Sequence, residues 1–314
     1  MRHSLPGRSF PVVFCLIIIL FSCSLVQGQD TTYWRKDLRT SLNFHQASFS
    51  DNWQGGGVNS IGLNGFFTYR ANYARGVNTW DNIIDLAYGI IKNEGQGSRK
   101  SHDRIFLDTK YGRKIANNWS LYSSLTFLSQ FYKGYEYDVE DPLTGETNNV
   151  LISNFLSPAF ITSSWGFEYK PVEYFSVRIG PFSPRATIVT DEDVAINSEE
   201  NGEPLRYGVP ADEKVRMEWW AFQMLADFNK DIAENLNLKW KYMLYVNYEE
   251  LEFRKFDHRL DAQLVARVNK FIDVGLGGIL VYDLDQDDDA QLSQALTLGI
   301  VYSFKNYEEE EEED

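Results

Sequence analysis

The sequence predicts an all-β chain, a single antiparallel transmembrane β-barrel of about twelve strands with short periplasmic turns and long extracellular loops. Three observations predict it. Period-two alternation dominates after residue 37, and helical periodicity is scarce. The connections between alternating segments are long and short in turn, as in outer-membrane barrels. Aromatic residues make up 15% of a chain whose net charge is −15, a combination that suits a wall with only alternate residues facing lipid.

Residues 1–28 read as a secretory signal peptide, with Arg2 and Arg8 before the short apolar run Pro11–Ser22 and small residues at Val26-Gln27-Gly28. That run is shorter than the roughly 20 apolar residues of a membrane helix. Both cysteines, Cys15 and Cys23, fall inside the signal peptide, so the mature chain is expected to lack disulfides and thiolate metal sites. Loss of Arg2 and Arg8 takes the net charge from −15 to −17, which argues against a nucleic-acid partner. Residues 29–37 read as a short lead, 38–304 as the barrel and 305–314 as an acidic disordered tail.

The strand-like segments follow in order. Faint alternation over 38–49 precedes clean alternation through Ile61–Tyr73, Trp80–Ile90 and Trp119–Phe131, with a weaker segment at 103–113. Three weaker ones cover 155–169, 174–189 and 215–229. Leu236–Tyr248, Leu260–Val268, Ile272–Tyr282 and Gln294–Phe304 complete the set. Fourteen or ten strands fit the pattern less well. Long connections are expected at 50–58, 92–102, 134–153, 190–214, 250–255 and 284–291. Short ones are expected at 75–78, 114–118, 170–173, 230–235 and 269–270.

The segment Gln294–Phe304 has a large apolar face (Leu296, Leu298, Ile300, Tyr302, Phe304) and a small uncharged one. Such a large face suits lipid, with Tyr302 and Phe304 in an interfacial aromatic belt. Gly299, Tyr302 and Phe304 also match the C-terminal recognition pattern of bacterial barrels, although Lys305–Asp314 follows Phe304. The charges that alternate with the apolar faces are expected in the lumen: Arg70, Asp85, Asp108, Lys110, Arg113, Arg178, Lys239, Lys241, Asp257, Arg259, Asp261 and Arg267. Their near-balanced signs point to cross-strand pairing and a narrow or blocked lumen.

Together, Asn52-Trp53 with Gly55-Gly56-Gly57, Trp80-Asp81-Asn82, Asp85-Leu86-Ala87-Tyr88-Gly89, Lys110-Tyr111-Gly112, Ser157-Pro158-Ala159 and Tyr282-Asp283 resemble a Bacteroidota outer-membrane family of unknown function. The resemblance runs from about 38 to 304. It implies an outer-membrane β-barrel and brings no reaction, cofactor or catalytic residue. The acidic run 308–314 lies outside the family pattern.

Other motifs have plainer readings. The Gly55–Gly57 loop lacks the lysine and helix of a phosphate loop. Asp283, Asp285, Asp287 and Asp289 form a weak candidate for a divalent cation, without the glycine and glutamate of an EF-hand. His45, His102 and His258 do not share metal-ligand spacing, and Asp257-His258 has no nucleophile beside it. The expectation is a non-enzyme in contact with outer-membrane lipid. As an accessory or structural envelope component, it would hold other envelope proteins through loops 134–153 and 190–214. As a narrow channel, it would pass small solutes, and an outer-membrane hydrolase is a more distant alternative.

Overall fold

The computed structural model describes residues 33–48, 50, 59–140, 145–200, 203–287 and 289–307. The expected signal peptide, the Asn52–Gly57 loop, Asp288 and the acidic run 308–314 lie outside the described residues.

Strands β1 (Trp34–Ala47), β2 (Ser60–Arg75), β3 (Asn78–Asn93), β4 (Ser98–Lys114) and β5 (Trp119–Ser129) pair in sequence, each antiparallel to the next. A separate hairpin follows, β6 (Gly134–Glu140) with β7 (Thr147–Ser153). Next, β8 (Ala159–Val172) pairs with β5, and β9 (Phe175–Phe182) and β10 (Arg185–Ile188) lie one after the other along β8. A small sheet is made of β11 (Ser198–Glu200), β12 (Glu203–Arg206) and β13 (Val209–Pro210). The wall resumes with β14 (Val215–Glu218), β15 (Ala221–Ala233), β16 (Leu236–Asn247), β17 (Asp257–Arg267), β18 (Ile272–Tyr282) and β19 (Gln291–Lys305). Finally β19 pairs with β1, from Asp37–Lys305 to Asn43–Gly299, and closes the ring.

Two strands of the wall are each broken in two. Strand β15 pairs with β9 (Gln223 opposite Gly180) and β14 with β10 (Arg185 opposite Glu218), at the same residue offset on both sides of the break. The cause is local. Pro181 and Pro184 have no N–H to give the ladder, so only isolated bonds remain there, such as Ser183 N–H to the Ala221 carbonyl at 2.8 Å. With β9–β10 and β14–β15 each counted once, the ring holds twelve strands.

Burial runs opposite to that of a water-soluble sheet. Leu292, Leu296 and Ile300 expose 72%, 73% and 68% of their surface, whereas Ser164, Asn64 and Asp108 expose 1%, 3% and 5%. An apolar exterior around a polar interior is stable in a bilayer and would be costly in water. A closed ring also leaves no strand edge to hydrocarbon along its paired length, which is how β-structure crosses a membrane. The chain is an outer-membrane β-barrel. Aromatic clusters ring the short-turn end: Trp34 lies 5.3 Å from Tyr73 and 5.9 Å from Trp80, and Trp119 lies 4.8 Å from Tyr169.

The structure corrects several boundaries. β1 starts at Trp34, so the last residues of the expected lead belong to the wall. The expected loop 92–102 shrinks to 94–97, because β3 and β4 stay paired past a bulge at Gly89–Ile90. Their polar residues there hide strand pairing that the partner strand enforces. Residues 305–307 are also held in place: Lys305 pairs with Asp37, and the Asn306 side chain accepts the Lys36 N–H (2.6 Å) and donates to the Trp34 carbonyl (3.1 Å).

Candidate functional site

The candidate site is the lumen and the loops above it. Alternation along each strand sends every second residue inward, and the contacts made there join strands that are not neighbours. Asp108 of β4 accepts from Arg178 of β9 at 3.0 Å, with β5 and β8 between them in the ring. Arg178 also lies 3.8 Å from Asp227 of β15, which pairs with Lys241 of β16 at 3.1 Å. The Lys241 ammonium in turn sits 5.4 Å from the Phe106 ring, back on β4. This chain of contacts crosses the lumen and returns to its starting strand.

A second bridge uses Lys110, which pairs with Asp81 of β3 at 3.1 Å and with Glu168 of β8. Near it, Tyr122, Ser164 and Ser183 form a hydrogen-bonded row at 2.9 and 2.7 Å. Buried charges of this kind are stable only when paired and hydrogen-bonded. The arrangement rigidifies half of the interior.

Of the remaining inward candidates, Arg70 and Arg259 pair within a strand or with its neighbour, whereas the Arg267 and Asp257 contacts pass over at least one intervening strand. Arg70 donates to Asp37 (3.1 Å), Arg259 reaches Asp261 with two nitrogens (2.8 and 2.9 Å), and Arg267 meets Asp231 (2.8 Å). Asp257 accepts from Arg185 at 2.7 Å, and the Arg185 guanidinium lies 3.3 Å from the centre of the Tyr245 ring. Asp85 and Lys239 are half-buried. Arg113 is different: alternation from Lys110 turns it outward, and it is exposed. Asp37, Arg39, Asp81, Glu168, Arg185, Asp227 and Asp273 were not singled out, although their parity with the predicted charges was readable. Arg39 donates to Asp273 at 2.5 Å, past the intervening β19.

The opposite side of the lumen is lined by Ser41, Gly275, Gly277, Ala295, Thr297 and Gly299. A Cβ added at Gly277 would meet nothing within 4 Å. These are the small residues whose strands turn Leu292, Leu296, Leu298, Ile300, Tyr302 and Phe304 outward. Asn43 packs over Gly299 where the β1–β19 ladder stops.

Above the wall, the long loops fold onto one another. Ala195 N–H donates to the Leu151 carbonyl (2.8 Å) and Tyr207 O–H to the Ile152 carbonyl (2.6 Å), joining loop 189–214 to β7. Arg206 donates to three carbonyls, Val194 (2.6 Å), Ala211 (2.8 Å) and Glu192 (2.9 Å), around buried Val194, Leu205 and Val209. Asn197 holds the backbone of Asp285 at 2.7 Å, and Arg216 gathers Gly208, Glu250 and Asp285 at 3.1, 2.7 and 3.4 Å. Burial pushes the Tyr207 hydroxyl up to about 12, with Asp283 adding to it. The Asp191 carboxyl is held below its usual range by hydrogen bonds from Asn154 and the Asp193 backbone.

The Asp283, Asp285 and Asp287 carboxylates of the acidic loop find partners within the protein. Asp283 accepts from the Asp285 N–H (2.9 Å) and the Gln286 side chain (2.5 Å), Asp285 faces Arg216, and Asp287 accepts the Asp289 N–H (2.9 Å). Among the described residues no three His, Cys, Asp or Glu side chains meet as metal ligands. In the weak candidate set Asp283, Asp285, Asp287 and Asp289, the Asp283 and Asp287 carboxylates thus cap N–H groups of their own loop, while Asp285 turns to Arg216. The histidines likewise stay apart in role. His258 shares a 2.8 Å hydrogen bond with the Tyr242 hydroxyl, while Asp257 beside it turns to Arg185. His102 stands edge-on to Phe66 at 5.4 Å.

A family model described as a protein of unknown function (DUF3078) matches residues 44–135. No curated protein matches the chain. Among solved structures, the chain is similar to the translocator domain of autotransporter NalP from Neisseria meningitidis, with 9% identity, 94% of this chain and 97% of that one covered, and a TM-score of 0.36. It is also similar to the COG4313 outer membrane channel from Pseudomonas putida F1, at 8% identity, 89% and 100% covered and a TM-score of 0.40. For the NanC porin the values are 7% identity, 84% and 98% covered, and 0.37. At these TM-scores the overlap is coarse, and the barrel here stands on its own closed ladder of strands.

Proposed function

We propose that this outer-membrane barrel is an accessory or structural envelope component whose lumen is occluded, without catalytic chemistry of its own. The observation that carries the reading is the Asp108–Arg178–Asp227–Lys241 chain, which spans the interior from β4 to β16. Loops docked on loops at the extracellular end support it, because they favour a fixed surface over an open vestibule. Contacts with other envelope proteins would be made there, where Tyr132, Phe155 and Ile196 are exposed. Outer-membrane lipid covers the remaining apolar wall.

A second reading, a narrow channel for small solutes, draws on the small residues around Gly277 and the space beside them. Planar-bilayer recording of the full chain separates the two. Occlusion predicts a silent folded barrel, with discrete steps only after Arg178→Ala and Lys241→Ala are combined. Salt-dependent steps from the unaltered chain would favour the channel. Deletion of 192–212 with loss of a co-purifying protein, and no change in current, would support the accessory role.

A further inference from the structure

Charge pairing in the lumen is incomplete on one side. Arg104 of β4 and Lys239 of β16 both point inward by alternation and are half-buried. Among the described residues, neither side chain takes part in an ion pair or a hydrogen bond, and the Arg104 Nε is buried without a partner. The cations near them are occupied elsewhere. Lys241 is held by Asp227, Arg70 by Asp37, and Arg259 by Asp261. Asp261, already in the Arg259 fork, faces Arg104, and Asp85 faces Lys239 without closing an ion pair. Two unpaired cations thus stand against one unpaired acid.

The two cations reach one space from opposite walls. The Arg104 guanidinium lies 4.9 Å from the centre of the Phe106 ring, and the Lys241 ammonium crosses the lumen to within 5.4 Å of the same ring. Lys239 stands two residues from Lys241 on the same face, about 7 Å along the strand. It faces Arg104, Arg70 and Lys241, and like charges gathered in a low dielectric repel unless an anion joins them. The space is open toward β18 and β19. Lys239 is in register with Gln263, Gln263 with Gly277, and Gly277 with Ala295. Side chains shorten along that row, and Gln263 is exposed although it points inward. A Cβ at Gly277 would touch nothing within 4 Å.

We infer that Arg104 and Lys239 form a binding site for a small free oxyanion, a phosphate or a carboxylate, in the open half of the lumen. The donor chemistry fits. A guanidinium offers a planar fork of N–H groups and an ammonium a compact charge with three more, a combination that grips oxyanion oxygens. The Arg104 Nε supplies a donor that no protein group uses. Lys241 and Arg259 add to the positive field, while Asp85 and Asp261 offset part of it, which favours a small anion over a polyanion. A buried cation without a partner is costly, and a bound anion relieves that cost. Such a site goes beyond either reading of the lumen, because an anion can sit in an occluded barrel as well as in a narrow channel.

Equilibrium dialysis of the folded full chain against radiolabelled inorganic phosphate tests the inference, in a sugar-headgroup detergent that carries no phosphate. Phosphate is present from refolding onward, so entry does not limit binding. The expected result is saturable uptake that approaches one phosphate per barrel. Uptake should weaken at least tenfold in Arg104→Gln and in Lys239→Gln. It should stay within twofold in Arg113→Gln, whose exposed cation points outward. Heat-modifiable gel migration confirms that each variant is folded. The urea midpoint of the unaltered chain should also rise with phosphate at constant ionic strength, a reading that needs no variant. Unsaturable uptake, equal uptake in the two lumen variants and the unaltered chain, or a midpoint indifferent to phosphate would overturn the site.

Discussion

Arg178 and Asp108 meet at 3.0 Å although two strands separate them in the wall. Both side chains are almost wholly buried, so neither charge has water to fall back on. Arg178→Ala would leave Asp108 buried beside an emptied site, and breaking such a pair costs about 3–5 kcal/mol. The urea midpoint of the barrel refolded in vesicles should fall accordingly. The double variant Arg178→Met, Asp108→Leu should recover most of the loss, because removing both charges also removes their desolvation cost. An unchanged midpoint in Arg178→Ala would show that the lumen is wet enough to solvate Asp108.

The two faces of β19 should respond oppositely to charge. Leu298→Arg places a cation against lipid and is expected to cost about 2–4 kcal/mol near mid-membrane. Ala295→Arg on the lumen side should cost well under half as much. Refolding free energies in vesicles of one lipid composition would show the difference, and equal costs would contradict the orientation of the strand.

The alternation that makes this test possible was legible because its signal survives in single residues. Leu296, Leu298 and Ile300 announce a strand whichever partner they find. Broken strands and loop structure were not legible in that way. Pro181 and Pro184 sit inside one faint segment, and only the unchanged register across them reveals two halves of a single wall element. The docked loops depend on Arg206 and Arg216 finding carbonyls far along the chain, and no short-range pattern records that. Lumen parity was readable residue by residue, yet which charges would meet was not, because Asp108 and Arg178 are brought together by barrel curvature.

The loop pairing should depend on pH through Asp285. Burial, reinforced by the neighbouring Asp283, pushes its carboxyl up to about 6, while Arg216 pulls the other way. Half of the side chain remains open to solvent, which weakens every one of these effects. Asp283 on the same loop, Glu218 and Arg216 on β14, Glu250 before β17 and Asp257 on β17 surround it. A carboxyl raised above its unfolded value near 4 binds its proton more tightly when folded. The loop is therefore best held below pH 4 and loosens as the pH rises through 6. Amide protection over 283–290, corrected for the intrinsic pH dependence of exchange, should fall across that interval in the wild-type chain and stay level in Asp285→Asn.

Arg206 should act locally. Its three bonds to carbonyls fasten one loop, and charge-assisted bonds of this kind contribute about 1.5–3 kcal/mol each. Arg206→Ala is expected to raise the rate of proteolysis within 189–214 at least tenfold. Heat-modifiable migration of the barrel should stay unchanged, since no wall strand loses a partner. Loss of the folded band would instead make the loop part of the wall's stability.

The join between β1 and β19 has a mechanical meaning. The ladder runs upward only from Asp37–Lys305 to Asn43–Gly299, while β19 continues to Gln291. Among the described residues, that upper stretch of β19 is laddered to β18 alone. A zip fails where its teeth are fewest, and this meridian has the shortest row. If the ring is pulled apart, by lipid tension or by an assembly machine, the tear starts beside Leu292 and Leu296 and travels down toward Phe304.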